Sequence, residues 1–555
     1  MRLLIRPGKA WRILAHGRPY STAPPTSVAS QRIYVSPHEH LDLTPRTAWD
    51  IVSAASALHA DKVALICGVT HKQVTHREFV VSVKAIAASL AQRGVTKGTV
   101  VLTNIVNCVE YPQLYHALTL LGATMSPASP QFSAAELVRQ LRASNASFIV
   151  THESVEGPAQ QAAQLAAIPL DNCFCIGPSP SSFQSFSVLT TPCTSWHDVA
   201  APSVDIMNDT NYLPFSSGTT GVPKGVKLSF WNMAINLVQM GHSESFNSPA
   251  MMVLPYYHIY ASTLMNMVLV SGYAQVILPK FDHRQFLHCL QRYRITKAHI
   301  VPPIATFLAK HPIVDEYDLS ALRMLVSAAA PLGAGLQDAV HLRLGIQVKQ
   351  CYGLTELSPI VNYSKDGHSK PASTGTLVPH TELRVVCPSS GADLPPDQVG
   401  ELWYRGPQVM LGYLDNDQAT EDTTTTCGFL KTGDLGYIDD DGHVFVVDRL
   451  KELIKYKGHQ VAPAELEDVI MTHPSVMDVA CIRGYTEDGD EVPKACVVLK
   501  PSHDVSAAEL MEFVAARVAP FKKVRQVEFV GTIPKNGSGK ILRRQLQAAA
   551  PPPSS

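Results

Sequence analysis

Residues 215–226 read FSSGTTGVPKGV, three glycines, four hydroxyls and one lysine between apolar flanks. Glycines let backbone N–H groups turn toward an anion and let a phosphate come close. Here Gly218 and Gly221 supply that freedom, Ser216, Ser217, Thr219 and Thr220 add neutral donors, and Lys224 adds a cation. Together they suit a polyphosphate. The loop fails the P-loop pattern, which needs lysine directly after glycine and before Ser or Thr; Pro223 precedes this lysine and Gly225 follows it. A flexible surface turn of the same composition is the plain alternative. The chain has 22 histidines, yet no HExxH and no Cys/His metal spacing. His38-Glu39-His40 is a weak metal candidate and reads more simply as a solvated turn.

The elements that must hold such a loop follow from the apolar pattern. Between residues 45 and 200, KVALIC (62–67), GTVVLTNI (98–105), ASFIVTH (146–152) and CFCIG (173–177) read as strands, and REFVVSVKAIAASLAQRG and AAELVRQLRAS have helical spacing. Residues 178–200, rich in Ser, Pro and Thr, read as a surface loop. After the glycine loop, strands are expected at MMVLPYYH (251–258), AQVILP (274–279), KAHIVPP (297–303), MLVSAAAP (324–331) and QVKQCYG (347–353). Such alternation predicts parallel sheets covered by helices. From 374 to 447, short strands (ELRVVC, GELWYRG, HVFVVD) separated by Gly/Asp/Pro turns predict a small antiparallel β-barrel or sheet. From 448 a compact α+β segment follows, with helices near 463–472 and 507–519 and strands near 477–484, 493–500 and 525–530. The fold expected is α/β: a large N-terminal domain (39–447) with a β-barrel subdomain, and a small C-terminal domain (448–547). Residues 1–38 form a leader and 548–555 a tail.

Bulk properties narrow the function. The 555 residues, 46% apolar and 17% charged, can build large cores. A net charge of −1 gives no global field toward nucleic acid or an anionic membrane. No uncharged apolar run reaches membrane-span length; the richest, around 265–279, reads as a buried helix followed by a strand. Eleven scattered cysteines without a CxxC pair favour reduced thiols inside a cell.

The loop has companions. CYGLTE (351–356), KTGDLGYID (431–439), VDRLKELIKYKGHQVAPAELE (447–467) and PKNGSGKILRR (534–544) follow it in order. With SSGTTGVPKGV, this set resembles the motifs of the adenylate-forming superfamily, which includes acyl-CoA synthetases, 4-coumarate–CoA ligases and firefly luciferase. The detail is most similar to the 4-coumarate–CoA ligase branch. The resemblance implies an ATP-dependent ligase: a carboxylate attacks the α-phosphate of ATP to give acyl-AMP and pyrophosphate, and the thiol of CoA then displaces AMP. It makes residues 216–225 the cradle for the β- and γ-phosphates. Thr355 would bind the α-phosphate and Glu356 would hold Mg²⁺, a hard cation suited to carboxylate and phosphate oxygens. Tyr352 and Gly353 would face adenine, Asp434 would bind the ribose hydroxyls with Arg449 assisting, and Lys540 would bridge the joining carboxylate and phosphate. The implied C-terminal domain rotates about Asp448 or Arg449 between the half-reactions. Lys455 and Gln460 then serve adenylation, and Lys457 and Gly458 line the CoA tunnel. Taken singly, Asp434 would serve equally as a turn former, and Lys540 or Arg449 as solvated charges. The same motifs would suit a luciferase-like oxygenase, or an acyl-AMP ligase that loads a carrier protein.

By the same resemblance His258 gates the carboxylate end of the acid pocket, and Tyr260, Ser327, Ala328, Ala330 and Gly333 border the acyl group. Their small, mainly apolar character and the lack of a basic residue favour a monocarboxylic fatty or aromatic acid. Cys351 stands where the family usually has glycine and narrows the slot; His459 replaces an expected aromatic beside Gly458. The expected partners are this small acid, ATP and CoA; the oligomeric state, monomer or homodimer, is open.

Before Glu39 there is no acidic residue, while Arg2, Arg6, Lys9, Arg12, Arg18 and Arg32 are basic and Ser/Thr residues begin at Ser21. That composition predicts a mitochondrial transit peptide and a matrix location.

Overall fold

Two large sheets of mainly parallel strands lie in the N-terminal part of the chain, as the strand–helix alternation predicts. In this computed structural model the described residues are 32–38, 41–178, 181–191, 202–216, 223–457, 459–486, 490–537 and 539–548. Residues 1–31 of the leader, Glu39-His40 and the centre of the glycine loop lie outside them, whereas the leader's last residues hold the strand Tyr34–Val35.

The seven-stranded sheet positions the chemistry. Its strands run in the order Gln347–Gln350, Met324–Ser327, Lys297–Ile300, Ala250–Met252, Gln275–Ile277, Val63–Cys67 and Gln73–Thr75, parallel except for the last. The segments at the carboxyl ends of the first, second and fourth carry the acid-pocket candidates, the customary place for a ligand in an open parallel sheet. The nine-stranded sheet holds Val100–Asn104, Thr124–Pro127, Phe148–His152 and Cys173–Ile176, with the hairpin of the glycine loop at one side. Covering helices start on Ser or Thr caps: Thr75 and Glu78 form a capping box before His76–Gln92, and Ser133 and Glu136 before Ala134–Ser144. The helix Ile259–Ser271 is buried on nearly every side and leads into Gln275–Ile277, as the apolar run around 265–279 predicts.

Three expectations shift. Residues 251–258 keep only Ala250–Met252 in the ladder, since Pro255 has no N–H to give. Asn107, almost buried, holds the departing chain instead: its Nδ2 donates to Leu254 O at 2.8 Å and its Oδ1 accepts from Tyr256 N at 2.8 Å. Asn107→Ala orphans both backbone groups and is expected to cost about 1–3 kcal/mol in denaturant melts. Because the loop runs on to His258, the KM for the acid should rise as well. Second, the prolines of KAHIVPP do not end a strand in a loop: Pro302 opens the helix Pro302–Lys310, where a missing N–H costs nothing. Third, the Ser/Pro-rich stretch is anchored by buried Phe183, Phe186 and Leu189 and contains the short helix Ser187–Thr190.

The antiparallel subdomain is a five-stranded sheet built from Tyr34–Val35, Glu382–Val386, Gly400–Arg405, Leu430–Ile438 and Val444–Arg449. The C-terminal unit packs the helices Pro463–Met471 and Ala507–Ala515 on a three-stranded sheet of Val476–Tyr485, Glu491–Leu499 and Gln526–Phe529, around its own core. Among the described residues no helix is long and apolar enough to cross a membrane, no disulfide forms, and no group of three metal-ligating side chains gathers.

Candidate active site

Phe215–Ser216 and Lys224–Ser229 pair antiparallel, with Ser216 directly opposite Lys224. The pairing fixes the chain on either side of the glycine loop. Ser217, Gly218, Thr219, Thr220 and Gly221 lie outside the described residues. Ser216 Oγ donates to Glu356 Oε1 at 3.3 Å, and Tyr413 Oη donates to the same oxygen at 3.0 Å. Lys224 Nζ lies 4.9 Å from the centre of the Tyr413 ring. Glu356 and Thr355 sit on the short 3-10 turn Thr355–Leu357, so hydroxyls, lysine and carboxylate converge at the loop's base. A single carboxylate beside a phosphate cradle fits Mg²⁺, which keeps waters and takes most other ligands from substrate phosphates.

Asp434 forms the second cluster. It is 4% exposed, and it lies opposite Arg449 in adjacent strands. Arg449 Nε approaches its Oδ1 at 3.2 Å and Tyr352 Oη donates to its Oδ2 at 2.6 Å. Both oxygens are oriented, leaving free lone pairs for a vicinal diol. Burial, then the Asp434 charge, push the Tyr352 hydroxyl far above its ordinary value, so it stays a donor. The ring of Tyr352, half-buried and tethered at its tip, presents a fixed aromatic face. Gly353 has no room for a side chain: a Cβ would stand 1.9 Å from Pro359 O. Since the obstacle is backbone, Gly353→Ala is expected to displace Tyr352 and Thr355 and to cut adenylation on the order of a hundredfold, at a stability cost of about 1–3 kcal/mol.

Lys540 comes from the C-terminal unit. Its N–H donates to Asn536 Oδ1 at 2.9 Å, and its carbonyl accepts from Asn536 N at 2.9 Å. Gly539 (φ +79°) packs on Pro303 and Val301, and Gly537 lies against Tyr257 Oη. The lysine thus reaches the acid side of the site. Burial, then the Arg449 charge, lower its ammonium to about 8. Burial and the nearby Lys540 lower His258 to about 4, so that imidazole is neutral. His258 caps the start of Ile259–Ser271 beside Tyr257, ring centres 4.7 Å apart.

The acid-pocket candidates lie at the strand ends. Ser327 closes its strand, Cys351 N donates to Ser327 O at 3.1 Å, and Cys351 Sγ points to Tyr260 Oη at 3.7 Å. Gln350 clamps the Ala328–Ala330 loop by accepting from Leu332 N and donating to Leu332 O. Gly333 meets the Asp468 carboxylate of the helix Pro463–Met471, a contact made between the two units.

Lys455, Lys457 and Gln460 belong to the hairpin Ile454–Tyr456/His459–Val461. Lys455 is opposite Gln460, and Lys457 sits at the tip with φ +47°. Gly458 and the Gln460 side chain lie outside the described residues. Both lysines are exposed; Lys457 rests on Tyr456, and His459 stacks on Phe521 at 4.3 Å. Asp448 holds the helix Pro463–Met471 through its Oδ2, which accepts from Ala464 N at 3.0 Å.

Two features escape sequence reasoning. Arg543, three residues after Lys540, pairs with Glu452 at 3.1 Å and Glu467 at 3.0 Å. Tyr413 grips Glu356 from a different segment. The first arginine of GKILRR, Arg543 itself, is the clue to the first feature; nothing in the sequence marks the second.

The AMP-binding enzyme family matches residues 52–414, and the AMP-binding enzyme C-terminal domain matches residues 465–540. The chain is 38% identical over 506 residues to 4-coumarate:CoA ligase 1 of Petunia hybrida, covering 88% of this chain and 91% of that protein. It is likewise 38% identical to 4-coumarate--CoA ligase of Pinus taeda over 505 residues, covering 88% and 92%. Among solved structures, ATP-bound MatB of Rhodopseudomonas palustris superposes with a TM-score of 0.81 at 26% identity, over 91% of this chain and 99% of that one. The o-succinylbenzoate CoA synthetase of Bacillus subtilis, solved with its acyl-adenylate, gives 0.76 at 27% identity over 91% and 98%.

Proposed function

Since this chain belongs to the family of AMP-binding enzymes, we propose that it activates a monocarboxylic fatty or aromatic acid as an acyl-adenylate and passes the acyl group to CoA. The coarser statement needs no proposal: it is an AMP-forming acid–CoA ligase that uses ATP and CoA. The observation that carries the finer reading is the delivery of Lys540 by the C-terminal unit to the side of His258, beside the acid-pocket segments.

The chemistry joins two anions, so charge must be met where it develops. Asp434, steered by Arg449 and Tyr352, fixes the ribose. Thr355 and the hairpin of Ser216 and Lys224 hold the phosphates, with Lys224 on the leaving pyrophosphate. Glu356 would hold Mg²⁺, which when bound neutralises phosphate charge. Lys540, cationic below about pH 8, spans the incoming carboxylate and the α-phosphate oxygens. Neutral His258 borders the carboxylate without adding charge. For thioester formation the C-terminal unit turns about Asp448, withdraws Lys540 and brings Lys457 and Gly458 toward the pantetheine.

The absence of a basic side chain among Tyr260, Ser327, Ala328, Ala330 and Gly333 supports a single-carboxylate substrate. The basic, acid-free leader supports a mitochondrial matrix location; import that persists after deletion of residues 1–20 would sink that part. A panel of carboxylic acids with ATP, Mg²⁺ and CoA, followed by AMP release, tests the rest. Release strictly dependent on CoA and on a monocarboxylic acid is expected. CoA-independent release, or a preference for dicarboxylates, would overturn it.

A further inference from the structure

One short segment is tied to both halves of the phosphate end. Residues 410–414 follow the strand Gly400–Arg405 and lie beside Lys224–Ser229, with Tyr413 opposite Val226 and Gly412 opposite Lys227. Leu414 N donates to Gly225 O at 2.8 Å and Leu411 N to Lys227 O at 3.0 Å. On its other side, Met410 N donates to Glu356 O at 2.9 Å. The segment is a splint between the strand that starts at Lys224 and the turn that carries Glu356. Tyr413 is fixed on it: the residue is 7% exposed, and its N–H donates to Thr420 Oγ1 at 2.9 Å.

The Tyr413 side chain works at two points. Its ring centre lies 4.9 Å from Lys224 Nζ, an attraction that restrains a long, flexible cation. Its hydroxyl donates to Glu356 Oε1 at 3.0 Å, and Ser216 Oγ donates to the same oxygen at 3.3 Å. A carboxylate oxygen offers two lone pairs in its plane, so these two donors fill Oε1. No donor among the described residues meets Oε2. The half-buried carboxylate is therefore left with one oxygen for a cation. Mg²⁺ is satisfied by one carboxylate oxygen, with water and phosphate completing its small shell; Ca²⁺ takes a larger shell and gains when a carboxylate gives it both oxygens.

We propose that Tyr413 is a positioning residue with two separable tasks: its hydroxyl keeps Glu356 a one-oxygen donor and so sets a preference for Mg²⁺ over Ca²⁺, and its ring holds Lys224 for the leaving pyrophosphate. This rests on the reading that Glu356 holds the cation of the ATP complex.

The test uses the full chain and α,β-methylene ATP, whose P–C–P link replaces the bond that adenylation breaks, so binding is read without turnover. Calorimetry gives its dissociation constant with saturating Mg²⁺ and with saturating Ca²⁺. In the unmodified chain the Mg²⁺ complex should bind about tenfold more tightly or better. Tyr413→Phe keeps the ring and loses the hydroxyl, and the Ca²⁺ complex should gain on the Mg²⁺ complex by about fivefold or more. Tyr413→Leu also releases Lys224, so both complexes should weaken by about a further fivefold. Should Tyr413→Phe fail to fold, Ser216→Ala, which removes the other donor to Oε1, should move the ratio the same way. A tyrosine that merely supports the fold would weaken both complexes together and leave the ratio unchanged. An unchanged ratio in Tyr413→Phe overturns the proposal, as does equal binding of the two complexes by the unmodified chain; equal Mg²⁺ affinities for Phe and Leu at 413 overturn the task given to the ring. Glu356→Gln checks the underlying reading. Loss of the cation preference upholds it, whereas unaltered binding of both complexes would show that Glu356 holds no cation, and the proposal falls with it.

Discussion

Lys540→Ala is expected to slow adenylation about a thousandfold while leaving thioester formation from supplied acyl-adenylate within a few-fold of normal. Pyrophosphate exchange reads the first step and CoA consumption the second. The asymmetry follows from position: the lysine lies close enough to His258, Arg449 and Asp434 to feel their charge or impose its own, and the rotation proposed above would take it away. Equal loss in both steps would refute the division of labour. The same residue sets a pH limit. Its folded value is depressed to about 8, so the ammonium is present below that pH and lost above it. Adenylation should therefore fall as pH rises through about 8, and Lys540→Ala should remove this alkaline limb. His258, already neutral above about 4, adds no limb near neutrality.

Arg543→Met is expected to destabilise the C-terminal unit by about 3–5 kcal/mol. The guanidinium is 11% exposed between Glu452 and Glu467. Glu467 Oε1 also accepts from Cys481 N at 2.7 Å, which ties helix, sheet and tail together. Burial already raises Glu467; without Arg543 that carboxylate is enclosed and unpaired. A separate, lower melting transition should appear, and adenylation should fail because the tail that carries Lys540 loses its anchor. Glu467→Gln added to Arg543→Met should recover most of the lost stability. A single variant that melts like the unmodified chain would show that the pair contributes nothing.

How far the sequence led depended on how local each feature is. Strand and helix positions were legible because apolar alternation is a short-range signal; Val63–Cys67, Ala134–Ser144 and Met324–Ser327 fall where expected. Glu356, Asp434 and Lys540 were legible because each sits in a motif with its own turn chemistry. What stayed hidden is assembled from distant segments. Glu244, Lys297, Lys349 and Asp366 come from four separate segments and pair only once the sheet forms. Arg543 and Glu467 are 76 residues apart. Tyr352 was expected only as an adenine face; its bond to Asp434 depends on strand pairing that no spacing predicts. His459 illustrates the converse: its departure from the family pattern was visible, but its stacking on Phe521 was not.

The close approach of Gly537 to the Tyr257 hydroxyl, and of Gly539 to Pro303 and Val301, has a further meaning. The tail bearing the lysine fits its berth with less than a methyl group to spare. Clearance, then, and not only charge, decides whether that cation arrives. A chain in which Lys540 is intact but the gap is shimmed by one carbon would bind its nucleotide normally and still wait at the threshold of the reaction.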